Sequence, residues 1–239
     1  FAIAGKRSGD GVTRLLSSSH QPWVGGVAWY EVVVHSDAGG DFAGALFPGM
    51  PYPAMGHSNA LGWTNTVNRA DLIDTYKLVL DASGDKYRYD GQWRPLERRR
   101  VWLPVRFGPF VIPVPRTVAR SVQGPVLENQ LGAFAVRFAG MGDVRQVEQY
   151  YRLNKARDFA EWQQVMAMQA VPATNFIYAD AAGNIGMFYN ARFPQRATGF
   201  DWKGVLPGDT SKAVWKSYVP FAGYPQVINP PSGWVANSN

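Results

Sequence analysis

Cysteine is absent from the 239 residues. That excludes disulfide frameworks, thiol nucleophiles, zinc–thiolate sites and iron–sulfur clusters. It does not fix a compartment, because exported proteins also do without cysteine. No apolar run approaches the roughly 18 residues that a helical membrane span requires. Several signatures are missing as well: His-Glu-x-x-His, a zinc-spaced histidine pair, Gly-x-Ser-x-Gly, a P-loop and a dinucleotide-binding glycine fingerprint. Charge is sparse, 18% of residues against 46% hydrophobic, a globular composition that argues against disorder.

What charge there is has one sign in excess, a net +6. Part of it is the local cluster Arg94 and Arg98 to Arg100, set among Trp93, Trp102 and Phe107. Basic residues interleaved with aromatics raise the question of a nucleic-acid surface. No RNP, zinc-finger or helix-turn-helix pattern accompanies them, so a solvated strand pair with snorkelling arginines is favoured and no nucleic-acid partner is expected. The chain opens on Phe1-Ala2-Ile3-Ala4 without an initiator methionine or a signal peptide. It closes at Asn239 without a helix cap, and both ends read as cut or processed.

The 25 glycines and 17 prolines favour many short strands. Alternating or β-branched runs predict strands at 28–35, 73–80, 101–107 and 110–114. The segments 175–180 and 184–190 predict a hairpin closed around Ala182-Gly183-Asn184. Gly108-Pro109 with Pro113 and Pro115 marks a second, irregular hairpin, better suited to a sheet edge than to its middle. Two helices are expected. Asp143 with Gln146 offers a cap ahead of Val144, Val147, Tyr150 or Tyr151, and Leu153. Asp158-Phe159-Ala160-Glu161 is a capping-box pattern leading into Trp162, Val165, Met166 and Met168, with Pro172 as the stop. These Trp and Met positions read as core packing rather than a cofactor box. The expectation is an α+β fold, mainly antiparallel β with helices packed on it, a single domain over 1–239 with no internal repeat and no clear boundary.

Of the three histidines, His35 closes an apolar run and reads as structural, and His57 in Gly56-His57-Ser58-Asn59 reads as a turn residue. His20 is harder to dismiss, lying in Ser17-Ser18-Ser19-His20-Gln21-Pro22-Trp23 at the polar end of a strand. Asp71 and Asp74 flank Leu72-Ile73 and could give oxygens to a hard cation, although a solvated strand start is the simpler reading.

Taken in order, these runs resemble the β-subunit of the penicillin acylase family, within the N-terminal-nucleophile hydrolases. The resemblance runs through Ser19-His20-Gln21-Pro22-Trp23, Phe47-Pro48-Gly49-Met50-Pro51 and the stretch from Gly56 to Val67. It continues through Arg116-Thr117-Val118, Asn175-Phe176-Ile177-Tyr178-Ala179-Asp180, Gly183-Asn184-Ile185-Gly186 and the closing run from Asn229 to Asn239. It covers nearly the whole chain, and order and spacing carry it more than any one motif.

The resemblance implies an αββα sandwich and hydrolysis of the amide of an N-acyl substrate, such as an acyl-homoserine lactone or a penicillin. The attacking hydroxyl belongs to a serine that opens the mature β-subunit, with its own α-amino group as base. That serine would lie about three positions before Phe1, outside this sequence, so 1–239 reads as a partial β-subunit domain, inactive alone. His20 falls on the position that borders and orients the nucleophile. Val67 matches the residue whose backbone N–H is one half of the oxyanion hole, and the Asn239 side-chain amide matches the other half, with Asn237 as the nearest alternative. Asp71, the Ile73 carbonyl and Asp74 fall on a structural calcium pattern that some members carry. No cofactor is implied for the chemistry itself. Trp23, Met50 and Trp63 are candidates to line the acyl pocket. The resemblance further implies an α-subunit cut from the same precursor, and a periplasmic or secreted location. A rival of another class is a noncatalytic sugar- or peptide-binding β module, suggested by the 9 Trp and 11 Tyr.

Overall fold

The computed structural model describes residues 1–18, 20–37 and 40–238. They form two compact units, 1–71 with 142–193 and 219–239, and 72–141 with 194–218. Each unit is built from separate stretches of chain, so no Pro/Gly/Ser-rich linker or shift in composition marks where one ends.

The first unit is organised on a seven-stranded antiparallel sheet. Its order is Gln226–Ile228, Ile185–Ala191, Ala173–Asp180, Leu61–Thr66, Met55–His57, Phe42–Leu46 and Tyr30–Val34. The expected hairpin forms its second and third strands, with Ala179 opposite Ile185 and Ala173 opposite Ala191. Its turn is fixed by Asp180, whose carboxylate accepts from the Asn184 backbone N–H and side-chain amide, both at 2.8 Å. Gly183 takes a left-handed φ of 94° there, which a side chain would strain. Gly56 is required for a different reason. A Cβ at that position would come within 2.2 Å of the Ala43 carbonyl oxygen on the neighbouring strand.

Strand periodicity of two decides what each face buries. Phe176 and Tyr178 point into an aromatic cluster with Trp63, Trp162 and Phe188, while Ile177 and Ala179 point the opposite way, onto Ala2, Ala4, Ile185 and Val235. The first face is covered by helices α1 (Gln146–Asn154) and α2 (Phe159–Met166). The second is covered by a three-stranded sheet of Trp234–Val235, Ala2–Ile3 and Arg14–Leu15. Helix, large sheet and small sheet thus stack in the order α, β, β.

The helix caps divide. Asp158 caps α2 as expected, accepting from the Glu161 N–H at 2.8 Å. Asp143 does not cap α1. That helix begins at Gln146 behind Arg145, with no side-chain cap. Asp143 instead receives the Arg145 guanidinium at 2.7 and 3.0 Å and Arg192 Nη1 at 3.1 Å. Helix α2 stops at Met166, ahead of Pro172, where Gln169 turns left-handed. The buried Gln149 ties this turn to α1 by accepting the N–H groups of Ala170 and Val171 at 2.7 and 2.8 Å.

The second unit holds a six-stranded sheet in the order Glu97–Phe107, Phe110–Arg120, Pro125–Asn129, Gly132–Phe138, Ile73–Leu78 and Val205–Pro207. Only its last pair is parallel. The irregular hairpin expected around Gly108 is longer than the sequence pattern suggests, paired without a break from Glu97 opposite Arg120 to Phe107 opposite Phe110. The strand Pro125–Asn129 meets it only at Ala119 and Arg120. Pro113 and Pro115 therefore deprive no third strand of a donor, which is how an edge accepts proline. Lys86–Tyr89 pairs with Gln92–Pro95 in a separate hairpin, and Tyr87 and Tyr89 join Tyr76, Leu78 and Leu206 in this unit's core.

Two outcomes follow for stability. Trp162 is wholly buried at the crossing of five aromatic rings, so Trp162→Ala should cost about 3–5 kcal/mol in denaturant titration. The Arg145 guanidinium is the main cause holding Asp143 down to about 2, below its usual 3.8. A depressed carboxyl stabilises the fold above its unfolded value and loses that contribution as pH falls toward 2. After screening by solvent the contribution is about 1 kcal/mol. Asp143→Asn should lower stability near neutral pH and flatten its fall between about pH 4 and 2.

Candidate functional site

The Leu61–Thr66 and Ala173–Asp180 strands run antiparallel, and their last bonded pair is Thr66 with Asn175. Beyond it the pairing of these two strands stops, and Val67 emerges with 64% of its surface exposed. At this end lies a cavity of about 240 Å³. Val67, Thr66, His20, Gln21 and Met50 reach it together, although they come from three separate segments. Its apolar wall is Trp29 stacked on Phe47, ring centroids 4.2 Å apart and 13° from parallel. Its base is Tyr150, a buried phenol whose pKa burial raises, 3.5 Å from the Asn65 amide nitrogen. Asn65 donates to the Ala54 carbonyl at 2.9 Å, which fixes its orientation.

Beside the cavity the end of the sheet is tied to the C-terminal segment by polar side chains. Thr66 Oγ1 donates to Asn237 Oδ1. Asn175, almost wholly buried, donates from its amide to Thr66 Oγ1 at 3.1 Å and to the Val67 carbonyl at 3.2 Å. The small sheet leads the opening residues along this face. Ala2 pairs with Leu15 on one side and Val235 on the other, and the Phe1 ammonium donates to the Leu16 carbonyl at 3.1 Å. Next to this sheet, Ser17 Oγ lies 2.6 Å from Thr64 Oγ1.

Of the residues expected from the sequence, His20, Val67 and Met50 share this cavity, and Asn237 sits beside it through Thr66. Asn239 lies outside the described residues. Trp63 does not reach the cavity. It is fully buried, its indole donating to the Ala54 carbonyl at 2.9 Å, so it supports the wall from behind. Trp23 is 98% exposed and borders a different depression. Trp29, Asn65, Tyr150 and Asn175 were not singled out from the sequence for a site. Only the position of Asn65 and Asn175 inside the quoted runs signalled them. A larger, more open depression of about 760 Å³, lined by His57, Ser58, Asp180 and Asn229, lies at the opposite end of these strands, by the hairpin turn. Much of the aromatic content behind the binding-module reading is interior, as Trp63, Trp162, Phe176, Tyr178 and Phe188 show.

Of the expected calcium ligands, Asp71 closes the first stretch of the first unit, while Ile73 and Asp74 lie in the second. Asp74 is 2% exposed, and its carboxylate accepts from Arg196 at 3.1 and 3.2 Å and from the Trp215 indole at 2.6 Å. A guanidinium already supplies the positive charge there and would repel a second cation. Ile73 opens a strand paired with Gly132–Phe138. Among the described residues, no three His, Cys, Asp or Glu side chains cluster closely enough to hold a metal. The residues as placed do not fit a calcium site at Asp74.

Residues 1–239 match the family model described as penicillin amidase. The acyl-homoserine lactone acylase PvdQ of Pseudomonas fluorescens is 30% identical over 90% of the chain, and penicillin G acylase of Escherichia coli is 30% identical over all of it. The fold superposes on penicillin G acylase from Alcaligenes faecalis with a TM-score of 0.89 at 28% identity, covering all of this chain and 43% of that one. The chain spans 30% and 28% of the length of the two curated relatives. No helix is long and apolar enough to cross a membrane among the described residues.

The Asp74 arrangement yields a direct test. Arg196→Met leaves a buried carboxylate uncompensated and should cost about 3–5 kcal/mol. Because the Arg196 guanidinium already occupies the Asp74 carboxylate, adding calcium, or removing it with a chelator, should move the melting temperature of the unmutated protein by less than about 1 °C.

Proposed function

Because the chain belongs to the penicillin amidase family, matched over 1–239, we propose that it forms part of an N-terminal serine hydrolase that cleaves the amide of an N-acyl substrate. The relatives are acylases by name, one for acyl-homoserine lactones and one for penicillin G. The observation that carries the reading is convergence. Val67, His20 and Met50 line one apolar cavity, Thr66 at its edge bonds Asn237, and the opening strand pairs with Trp234–Val235, just ahead of Asn237.

In this reading the nucleophile is a serine encoded before Phe1. Continuing the register of Ala2 with Leu15 and Val235, each residue before Phe1 advances about 3.3 Å along the sheet. Such a residue would run beside Ser17 and Asn237, toward the segment that ends in Asn239. The serine hydroxyl adds to the amide carbonyl carbon, and its proton passes through the α-amino group to the leaving nitrogen. The C–N bond then breaks and the amine departs, leaving an ester on the serine. Water attacks that ester by the same route, releasing the carboxylic acid and restoring the hydroxyl. The Val67 N–H and the Asn239 amide donate to the tetrahedral oxygen in both steps. His20 borders the nucleophile, with Gln21 beside it, and Trp29, Phe47 and Met50 take the apolar acyl group. The remaining walls come from an α-subunit of the same precursor, and we place the assembled enzyme in the periplasm or outside the cell.

Assays on the full-length protein, using acyl-homoserine lactones and acyl anilides, test this. Replacing the upstream serine by alanine should abolish turnover. Asn239→Ala should lower kcat by on the order of 10²–10³-fold while Asn237→Ala costs less. Val67→Ala should be mild and Val67→Pro severe, since only proline removes the backbone donor. His20→Gln should retain measurable turnover. The 239 residues alone should hydrolyse neither substrate. Turnover by that fragment would overturn the mechanism.

A further inference from the structure

We infer that Asn175 is a positioning residue that sets the Val67 backbone against the Asn237 segment, and so the geometry of the oxyanion hole. The inference rests on the proposed role of Val67. It starts from register. Asn175 and Thr66 are the last bonded pair of their strands, so the Val67 peptide lies just past the last rung of the ladder. A backbone donor needed for catalysis must nonetheless be rigid, because a shift of about 1 Å can cost on the order of 10²-fold in rate.

The Asn175 side chain provides that restraint. Its amide nitrogen lies 3.1 Å from Thr66 Oγ1 and 3.2 Å from the Val67 carbonyl oxygen, the polar atoms on either side of the Val67 N–H. It also lies 3.4 Å from Asn237 Oδ1, which receives the Thr66 hydroxyl proton. One amide therefore clasps the end of the Leu61–Thr66 strand and the segment that leads to Asn239. Asn175 is 3% exposed and sits on a buried central strand, which keeps this clasp out of solvent competition. Its own Oδ1 is buried with no partner among the described residues. Asn175 touches no reacting atom in this account and acts only through Val67 and Asn237.

The test uses the full-length protein and the para-nitroanilides of phenylacetic and decanoic acid. Reacting sites are counted with a serine-directed sulfonyl fluoride, so that misfolded protein drops out. Asn175→Ala and Asn175→Asp should lower kcat per titrated site by on the order of 10²-fold, with KM within about threefold of the unmutated protein. A boronic acid analogue of the acyl group, which becomes tetrahedral on the serine, should lose affinity by a similar factor while inhibition by the carboxylate product holds. Thr66→Ser should fall far less than its isostere Thr66→Val, because only serine keeps the hydroxyl bridge. Thr66→Val with Asn175→Ala should be little worse than either alone. If kcat per site stays within about threefold in the Asn175 variants, or the loss appears only in KM or in the number of sites, the inference is overturned. If the unmutated full-length protein turns over neither anilide nor any acyl-homoserine lactone, the functional reading itself fails and takes this inference with it.

Discussion

The strands Leu61–Thr66 and Ala173–Asp180 are buried on both faces, and that constraint organises the first unit. A strand covered on one side can leave its other side to water. Here Phe176 and Tyr178 must fit the aromatic cluster under the helices while Ile177 and Ala179 fit the small sheet. Backbone donors and acceptors along Ala173–Asp180 are taken up by the strands on both sides. Backbone groups become available where these ladders end. At one end is the Asp180 turn, which satisfies itself by bonding Asn184. At the other is Val67, where the next peptide is free of the sheet and the cavity opens.

The same constraint explains what could be read from the sequence. The hairpin was legible because the runs Asn175–Asp180 and Asn184–Asn190 flank a turn whose Gly183 adopts a left-handed φ. Asp158 was legible because a capping box is local. Asp143 misled because its partners, Arg145 and Arg192, include one 49 residues away in the chain, and a side chain with two guanidinium groups at hand has no reason to cap. The tryptophans show the limit of composition. Trp63 and Trp23 both sit in motif-like runs, yet one is sealed in the core and the other almost fully exposed. No local pattern separates them, since burial depends on which distant strands and helices arrive. The cavity wall of Trp29 on Phe47 was invisible for the same reason.

Buried charge follows a stricter rule than exposed charge, and Asp74 illustrates it. The spacing of Asp71 and Asp74 about a strand start resembles an oxygen cage for a cation. A carboxylate that loses its water must gain a positive partner and hydrogen-bond donors together. Arg196 and the Trp215 indole supply both from 122 and 141 residues away in sequence. A neighbouring guanidinium, Arg137, stacks 4.2 Å over the Trp215 ring and donates to the carbonyls of Gln123 and Trp215. The unit thus neutralises its buried anion from its own sequence.

The size of the cavity bears on how the proposed chemistry would be completed. A pocket that encloses a small molecule occupies about 300–1,000 Å³, and the cavity beside Val67 holds about 240 Å³. It offers one well-formed aromatic wall, one buried phenol and the open end of the sheet. That is enough to orient an acyl chain, but it does not exclude water on every side. Excluding water matters to the proposed mechanism, because donors to a developing oxyanion are worth far more in a dry site than in an open one. The chain spans about 30% of the length of the curated relatives it matches. In the proposed assembly the α-subunit would close the remaining sides. On that view the 239 residues contribute the rigid half of the site, where positions must hold to fractions of an ångström, and the choice of acyl group falls to the walls that close over it.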